Sequence, residues 1–203
     1  MQSTKIIQIT GKPIILPEDN IDTDRIIPAR FLKSVTFNEL GEHVFEDDRN
    51  KARLENKAHP FEDQQNKSAS ILITGQNFGS GSSREHAVHA LMKWKGGIQA
   101  VISKGKYSEI FFNNALNNGL PCLIVKEKDW HNLIGICQKN LQTEISINLE
   151  KMTVKINSKF MPAQFQQKTA QKAFVCGKWN KLAELLAGRE KIEYQLALLP
   201  YLS

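Results

Sequence analysis

The chain has 203 residues, of which 41% are hydrophobic, and it carries a formal charge of +6 with a pI near 9.2. That apolar content supports one good core and excludes a disordered chain. Apolar runs such as Ile71–Ile73 fall far short of the roughly 20 residues that span a bilayer, and MQSTKIIQIT contains no long apolar signal region, so the cytoplasm is the expected location.

Lys5–Leu16 reads as β-rich, broken by Gly11 and Pro13. In "NIDTDRIIPARFLKS", Asn20 to Ser34, the Asx and Thr residues suit turns, and Pro28 restricts Ile27 to an extended backbone. Residues 38 to 68 are polar and charge-rich, with scattered anchors at Val44, Phe45 and Phe61, and read as a polar insertion. From Ser70 the pattern sharpens. Ile71–Thr74 predicts a buried strand. Arg84–Lys93 predicts a helix whose apolar face carries Ala87, Ala90, Leu91 and Trp94. Ile98–Ser103 predicts a second strand, Lys106–Gly119 a second helix stopped by Gly119, and Pro121–Val125 a third strand. This alternation predicts βαβ units and a parallel sheet. A helix to about Lys139 follows, then strands at Thr143–Asn148 and Met152–Ile156 joined as a hairpin at Glu150–Lys151. The tail from Ala163 to Leu199 reads as largely helical, interrupted at Gly177 and Gly188. The whole is one α/β domain with β-rich and helical additions.

The chemistry concentrates in "ILITGQNFGSGSSREHAVHALMKW", Ile71 to Trp94. A turn that leaves a strand and opens a helix presents free amides, which together with the helix dipole attract an anion. Gly75, Gly79 and Gly81 allow the backbone to approach a ligand. The turn lacks the G-K-S/T ending of a P-loop and the third glycine of a dinucleotide turn. Arg84 opposes the helix dipole unless it is paired, and its planar fork suits a carboxylate, so the turn looks built for a small carboxylate ligand. The same residues also spell a capping box, Ser82 to Glu85, which needs no function. His86 and His89 lack a third ligand, so no metal site is expected. Cys122, Cys137 and Cys176 contain no C-x-x-C pair, which argues against a disulfide framework, a zinc site or an iron–sulfur cluster held by this chain alone. The basic residues are scattered and no recognised nucleic-acid motif appears, so nucleic acid is not an expected partner.

"NFGSGSSREHA" (Asn77–Ala87) resembles the signature of the aconitase superfamily's swivel domain. "NIDTDRIIPARFL" (Asn20–Leu32) and "YSEIFFNNALNNGLPCLIV" (Tyr107–Val125) resemble, in the same order, motifs of the small-subunit family of 3-isopropylmalate dehydratase. The resemblance implies a swivelling β/β/α domain that works with a separate large subunit carrying a four-iron four-sulfur cluster. The pair would interconvert 2- and 3-isopropylmalate in leucine biosynthesis. It implies Ser82 as the base that takes a proton from carbon, with Arg84 and Ser83 binding a substrate carboxylate. Asp24, Asn77, Gly79, Gly81 and Glu85 are expected to support them. Substrates in this superfamily share a malate-like core and differ in one substituent. Phe31 and Leu32 are expected to line a pocket for that substituent, and Arg30 to meet a second carboxylate or an acidic residue of the partner. The competing expectations are a sister hydro-lyase, homoaconitase-like or acting on a methyl-substituted malate, and a non-catalytic anion-binding module.

Overall fold

The computed structural model describes residues 5–32, 37, 39–82 and 84–180. Among these residues, seven strands close into a barrel: β1 (Gln8–Leu16), β2 (Ala69–Thr74), β3 (Ala100–Ser103), β4 (Cys122–Val125), β5 (Ile145–Asn148), β6 (Thr153–Ile156) and β7 (Lys159–Phe165). The order around the barrel is β1-β2-β3-β4-β7-β6-β5, and β5 returns to β1. Among the described residues six α-helices decorate it: α1 (Thr23–Ile26), α2 (Glu46–Leu54), α3 (Glu85–Lys93), α4 (Glu109–Asn117), α5 (Glu127–Lys139) and α6 (Thr169–Cys176).

The barrel has two halves of different character. β1, β2, β3 and β4 run parallel and are joined by α3 and α4. Every residue of β2, β3 and β4 is buried, as expected where side chains fill the interior on one face and helices cover the other. β7, β6 and β5 are antiparallel and alternate buried with more exposed positions, so their outer face meets solvent. β1 serves both halves. Gln8–Gly11 pairs antiparallel with β5, the register shifts between Lys12 and Pro13, and Pro13–Leu16 continues parallel to β2. Proline has no N–H to give a ladder, and a register shift is where its absence costs least.

Two expectations are corrected. The sheet is a closed mixed barrel and not merely a partly parallel sheet with flanking helices. Ala163–Phe165, expected to open a helical tail, belongs to β7, the strand that joins the two halves. Of that tail, α6 is helical, and residues 181–203 lie outside the described residues. Inside the stretch read as polar insertion lies α2, a nine-residue helix that the reading did not specify. It buries none of its residues, so no apolar stripe announced it. Its ends do carry a signal: Glu46, Asp47 and Asp48 sit in the first turn and Lys51 and Arg53 in the last, each favourable to the helix dipole.

Candidate functional site at the turn between β2 and α3

The chain leaves β2 at Thr74 and runs alongside the segment that leaves β1. Gly75 N–H donates to Glu18 O (3.1 Å), Asn20 N–H to Gln76 O (2.9 Å), Gly79 N–H to Ile21 O (2.7 Å) and Thr23 N–H to Ser80 O (2.8 Å). Asp22 and Ser80 form an isolated parallel bridge, and the Asn77 side-chain amide donates to Asn20 Oδ1 at 2.9 Å. The β1–β2 pairing thus continues past both strand ends and lays "NIDTD" beside "NFGSGS". Two sequence motifs more than fifty residues apart become one surface.

Gly79 has φ +76°, and a Cβ there would overlap the Phe111 ring of α4. Only glycine fits both the left-handed backbone and the space. Asn77 also has positive φ (54°), which asparagine tolerates better than most residues. The Thr23 hydroxyl donates to Ser82 O at 3.0 Å and fixes the far end of the turn. Ser82 is exposed, and among the described residues its hydroxyl has no hydrogen-bond partner. Ser83 lies outside the described residues.

The capping-box expectation fails. The N-cap of α3 is Arg84, in extended conformation (φ −130°, ψ 101°), and among the described residues no side chain caps the helix. The leading amides of α3 are therefore left for solvent or ligand. Glu85 is used differently: its Oε1 accepts from Asn118 Nδ2 at 2.9 Å and lies 3.5 Å from His89 Nε2. The Asn118 bond holds the Glu85 carboxyl below its ordinary value; partial burial opposes this and His89 adds to it.

The Arg84 side chain is only 13% exposed, and Nη1 is paired with Asp24 of α1. That pair removes the conflict between a cation and a helix N-terminus. It also aligns the guanidinium beside the turn. Arg25, the next residue of α1, goes the other way, to Glu18 (2.7 Å) and Asp48 of α2 (2.8 Å). α1 therefore links the turn to α2.

The loop after α1 is bound to α2 as well. Arg30 makes a two-pronged contact with Asp47 (2.6 and 3.0 Å), reaches Glu46 (3.2 Å), and lies over the Phe31 ring. Phe31 stacks on His43, whose Nδ1 is 2.5 Å from Glu46 Oε2. Phe31 and Leu32 are half-buried against the core. Among the described residues, no hydrogen bond or ring contact joins Arg30, Phe31 or Leu32 to the turn. The loop's continuation does return to α3: the Phe37 ring lies 4.3 Å from that of His89 and 5.2 Å from that of His86. The structure thus gathers Asp24, Asn77, Gly79, Gly81, Ser82, Arg84 and Glu85 around one turn, and sets the Arg30–Leu32 loop against α2.

The turn is open surface. Grooves lie elsewhere, one of about 570 Å³ lined by residues that include Lys106, Phe165 and Lys168, another of about 490 Å³ lined by residues that include Ile7, Ile98 and Gly119. The cysteines do not fit an iron–sulfur cluster. Cys122 and Cys137 are buried in β4 and α5, where burial pushes both thiols up, Cys137 to about 12; Cys176 lies apart at the end of α6. Among the described residues, no three His, Cys, Asp or Glu side chains are grouped to hold a metal, and no helix is long and apolar enough to cross a membrane.

The aconitase C-terminal domain family model matches residues 3–128. The 3-isopropylmalate dehydratase small subunit of Synechocystis sp. is 39% identical over 199 residues, covering 98% of this chain and 96% of that one. Its counterpart from Thermus thermophilus is 38% identical over 197 residues, covering 97% and 96%. A crystal structure of 3-isopropylmalate dehydratase from Methanocaldococcus jannaschii superimposes with a TM-score of 0.63 at 26% identity, covering 91% of this chain and 99% of that one.

Proposed function

Because the chain belongs to the aconitase C-terminal domain family, and within it to the small subunits of 3-isopropylmalate dehydratase, we propose that its Ser82–Arg84 turn is the half of the active site that this chain brings to a large subunit. The enzyme is a hydro-lyase that interconverts 2- and 3-isopropylmalate by dehydration and rehydration in leucine biosynthesis. The observation that carries the proposal is the convergence of "NIDTD" and "NFGSGSSR": Ser82 is exposed, its hydroxyl has no partner among the described residues, and two residues on, Arg84 is paired with Asp24 at the start of α3, where no described side chain caps the helix.

In this reading Arg84 holds a substrate carboxylate. Nη1 is engaged by Asp24, while no protein acceptor among the described residues takes the other donors of the fork. Ser82 removes the proton from carbon during dehydration and returns it during rehydration. A serine alkoxide is strongly disfavoured in water, and the nearby cation and free α3 amides stabilise the negative charge as it forms. Ser83 assists carboxylate binding. Phe31 and Leu32 meet the alkyl substituent, and Arg30, anchored to Asp47 and Glu46, holds that loop in place. The chain's own residues do not fit an iron–sulfur cluster, so that group belongs to the large subunit, as the resemblance implies, and no step here is drawn through it.

Anaerobic co-expression with the large subunit, followed by a panel of substituted malates, tests the proposal. The expected result is a complex that turns over isopropylmalate best and an isolated small subunit that is inactive. An active, iron-containing preparation of this chain alone would overturn it. Preference for a different substituted malate would replace the substrate and keep the turn's role.

A further inference from the structure

The base of the turn is held by side chains from three separate places in the chain, none of them among the residues assigned above. The Trp130 indole N–H of α5 donates to Thr74 O at 2.8 Å. The buried Ser103 hydroxyl, at the end of β3, donates to Gly75 O at 2.7 Å and accepts from Gly105 N–H at 3.1 Å. Asp19, in the segment after β1, accepts from Gln76 N–H at 3.0 Å through Oδ1, and its Oδ2 lies 3.4 Å from Gln76 Nε2. Three consecutive residues, Thr74, Gly75 and Gln76, are thus each fixed by a different side chain.

Lys104 joins these contacts. Its ammonium sits 3.1 Å from Asp19 Oδ1 and 5.1 Å from the centroid of the Trp130 ring, and its side chain is only 18% exposed. A long cationic side chain held this far from water loses rotamer freedom and solvation, and it is retained against one carboxylate and one ring face. Gly75 marks how tight the arrangement is, because a Cβ there would overlap Asp19 Oδ1 and the Glu18 carbonyl. The direction in which the chain departs from β2 sets where the following residues fall, and Ser82 is six residues beyond Gln76.

The geometry points to Asp19 and Lys104 as positioning residues for the Ser82–Arg84 turn: a braced ion pair that acts through Gln76 to hold the turn in register with the "NIDTD" segment. This rests on the catalytic reading of the turn. A reacting group displaced by about 1 Å loses on the order of 100-fold in rate, and the brace is what opposes such a displacement.

The test uses Asp19→Asn, Lys104→Met and Lys104→Arg in the assembled enzyme, with Arg53→Met, which breaks the ion pair between exposed Arg53 of α2 and Glu62, as a control. Asp19→Asn and Lys104→Met are expected to lower kcat roughly 10–100-fold with KM changed much less, because the loss falls on geometry at the reacting atom. Lys104→Arg restores most of the rate, and Arg53→Met leaves it unchanged. Amide hydrogen exchange on the full isolated chain supplies a readout that does not depend on activity. Residues 75–82 should exchange about tenfold faster in Asp19→Asn and Lys104→Met, with β5 and β6 unaffected. A wild-type complex without turnover counts against the catalytic reading and leaves the exchange to decide the brace. Unchanged exchange over residues 75–82 in both variants overturns the brace, and so does a kcat loss equalled by Arg53→Met.

Discussion

Ser82 and Arg84 differ in what the fold has done for them, and their variants should differ accordingly. Arg84 is mostly buried and paired with Asp24, while the Ser82 hydroxyl is exposed and free of protein partners among the described residues. Since Ser82 does not cap α3, Ser82→Ala removes no folding contact of its hydroxyl and should leave the melting temperature within error. Turnover by the assembled enzyme should fall about 10²–10⁴-fold, the range associated with losing a general base, while substrate binding survives. A stability loss of about 1 kcal/mol with near-normal turnover is the outcome expected of a helix cap, and it would exclude Ser82 as the base. Arg84→Lys keeps the charge but not the fork, so KM should rise and kcat fall together. A near-normal Arg84→Lys enzyme would argue against carboxylate recognition by the fork.

Two elements share the work around the turn, and α1 is the joint between them. It is only four residues long, capped by the Asp22 side chain on Arg25 N–H (2.8 Å), yet Asp24 points to the turn and Arg25 to α2. No residue of α2 is fully buried, so a hydrophobic core contribution is not what holds it in place. Its acidic first turn does that through Arg25 and Arg30. The same contacts fix Phe31 and Leu32, the residues proposed to meet the alkyl group. Phe31→Ala or Leu32→Ala should reduce kcat/KM for isopropylmalate roughly 10–200-fold, the span typical of apolar-pocket discrimination, with less loss for a smaller alkyl malate. Arg30→Gln should act in the same direction by releasing the loop from Asp47 and Glu46. Equal losses across a panel of alkyl malates, with subunit association unchanged, would show that the loop does not read the substituent.

For the whole molecule, His59 is expected to add acid sensitivity below neutral pH. It is 8% exposed, lies beside the Phe45 and Phe61 rings, and accepts from Phe61 N–H through Nδ1 at 3.2 Å, a bond that requires that nitrogen unprotonated. Burial lowers its pKa below the ordinary 6.5; the carboxylates of Asp48, Glu62 and Glu18 oppose this, and Arg49 adds to it. A lowered folded-state value means that the unfolded chain takes the proton more readily. This share of stability is complete above about pH 6.5 and is lost as pH falls below it. Denaturant midpoints measured from pH 7.5 to 5 should drop for the wild type and drop less steeply for His59→Gln; parallel slopes would assign the acid sensitivity elsewhere. The sequence by itself determined β2, α3, β3, α4, β4 and α5, because strand and helix periods are local and Gly119 punctuates locally. It also determined that one turn concentrates the chemistry, since Gly79, Gly81, Ser82 and Arg84 are neighbours in the chain. Only the tertiary structure decided that the sheet closes, because closure depends on β5 finding β1 and β7 joining the two halves, pairings between residues far apart in sequence. The partners of the turn were settled at the same level. Asp24 on Arg84, Asn118 on Glu85 and Asp19 on Gln76 are contacts across dozens of residues, and no spacing rule encodes them. The capping box shows the limit from the other side: Ser82 and Glu85 stand at the right spacing, but the chain enters α3 at Arg84, because the preceding residues are already bound to the "NIDTD" segment.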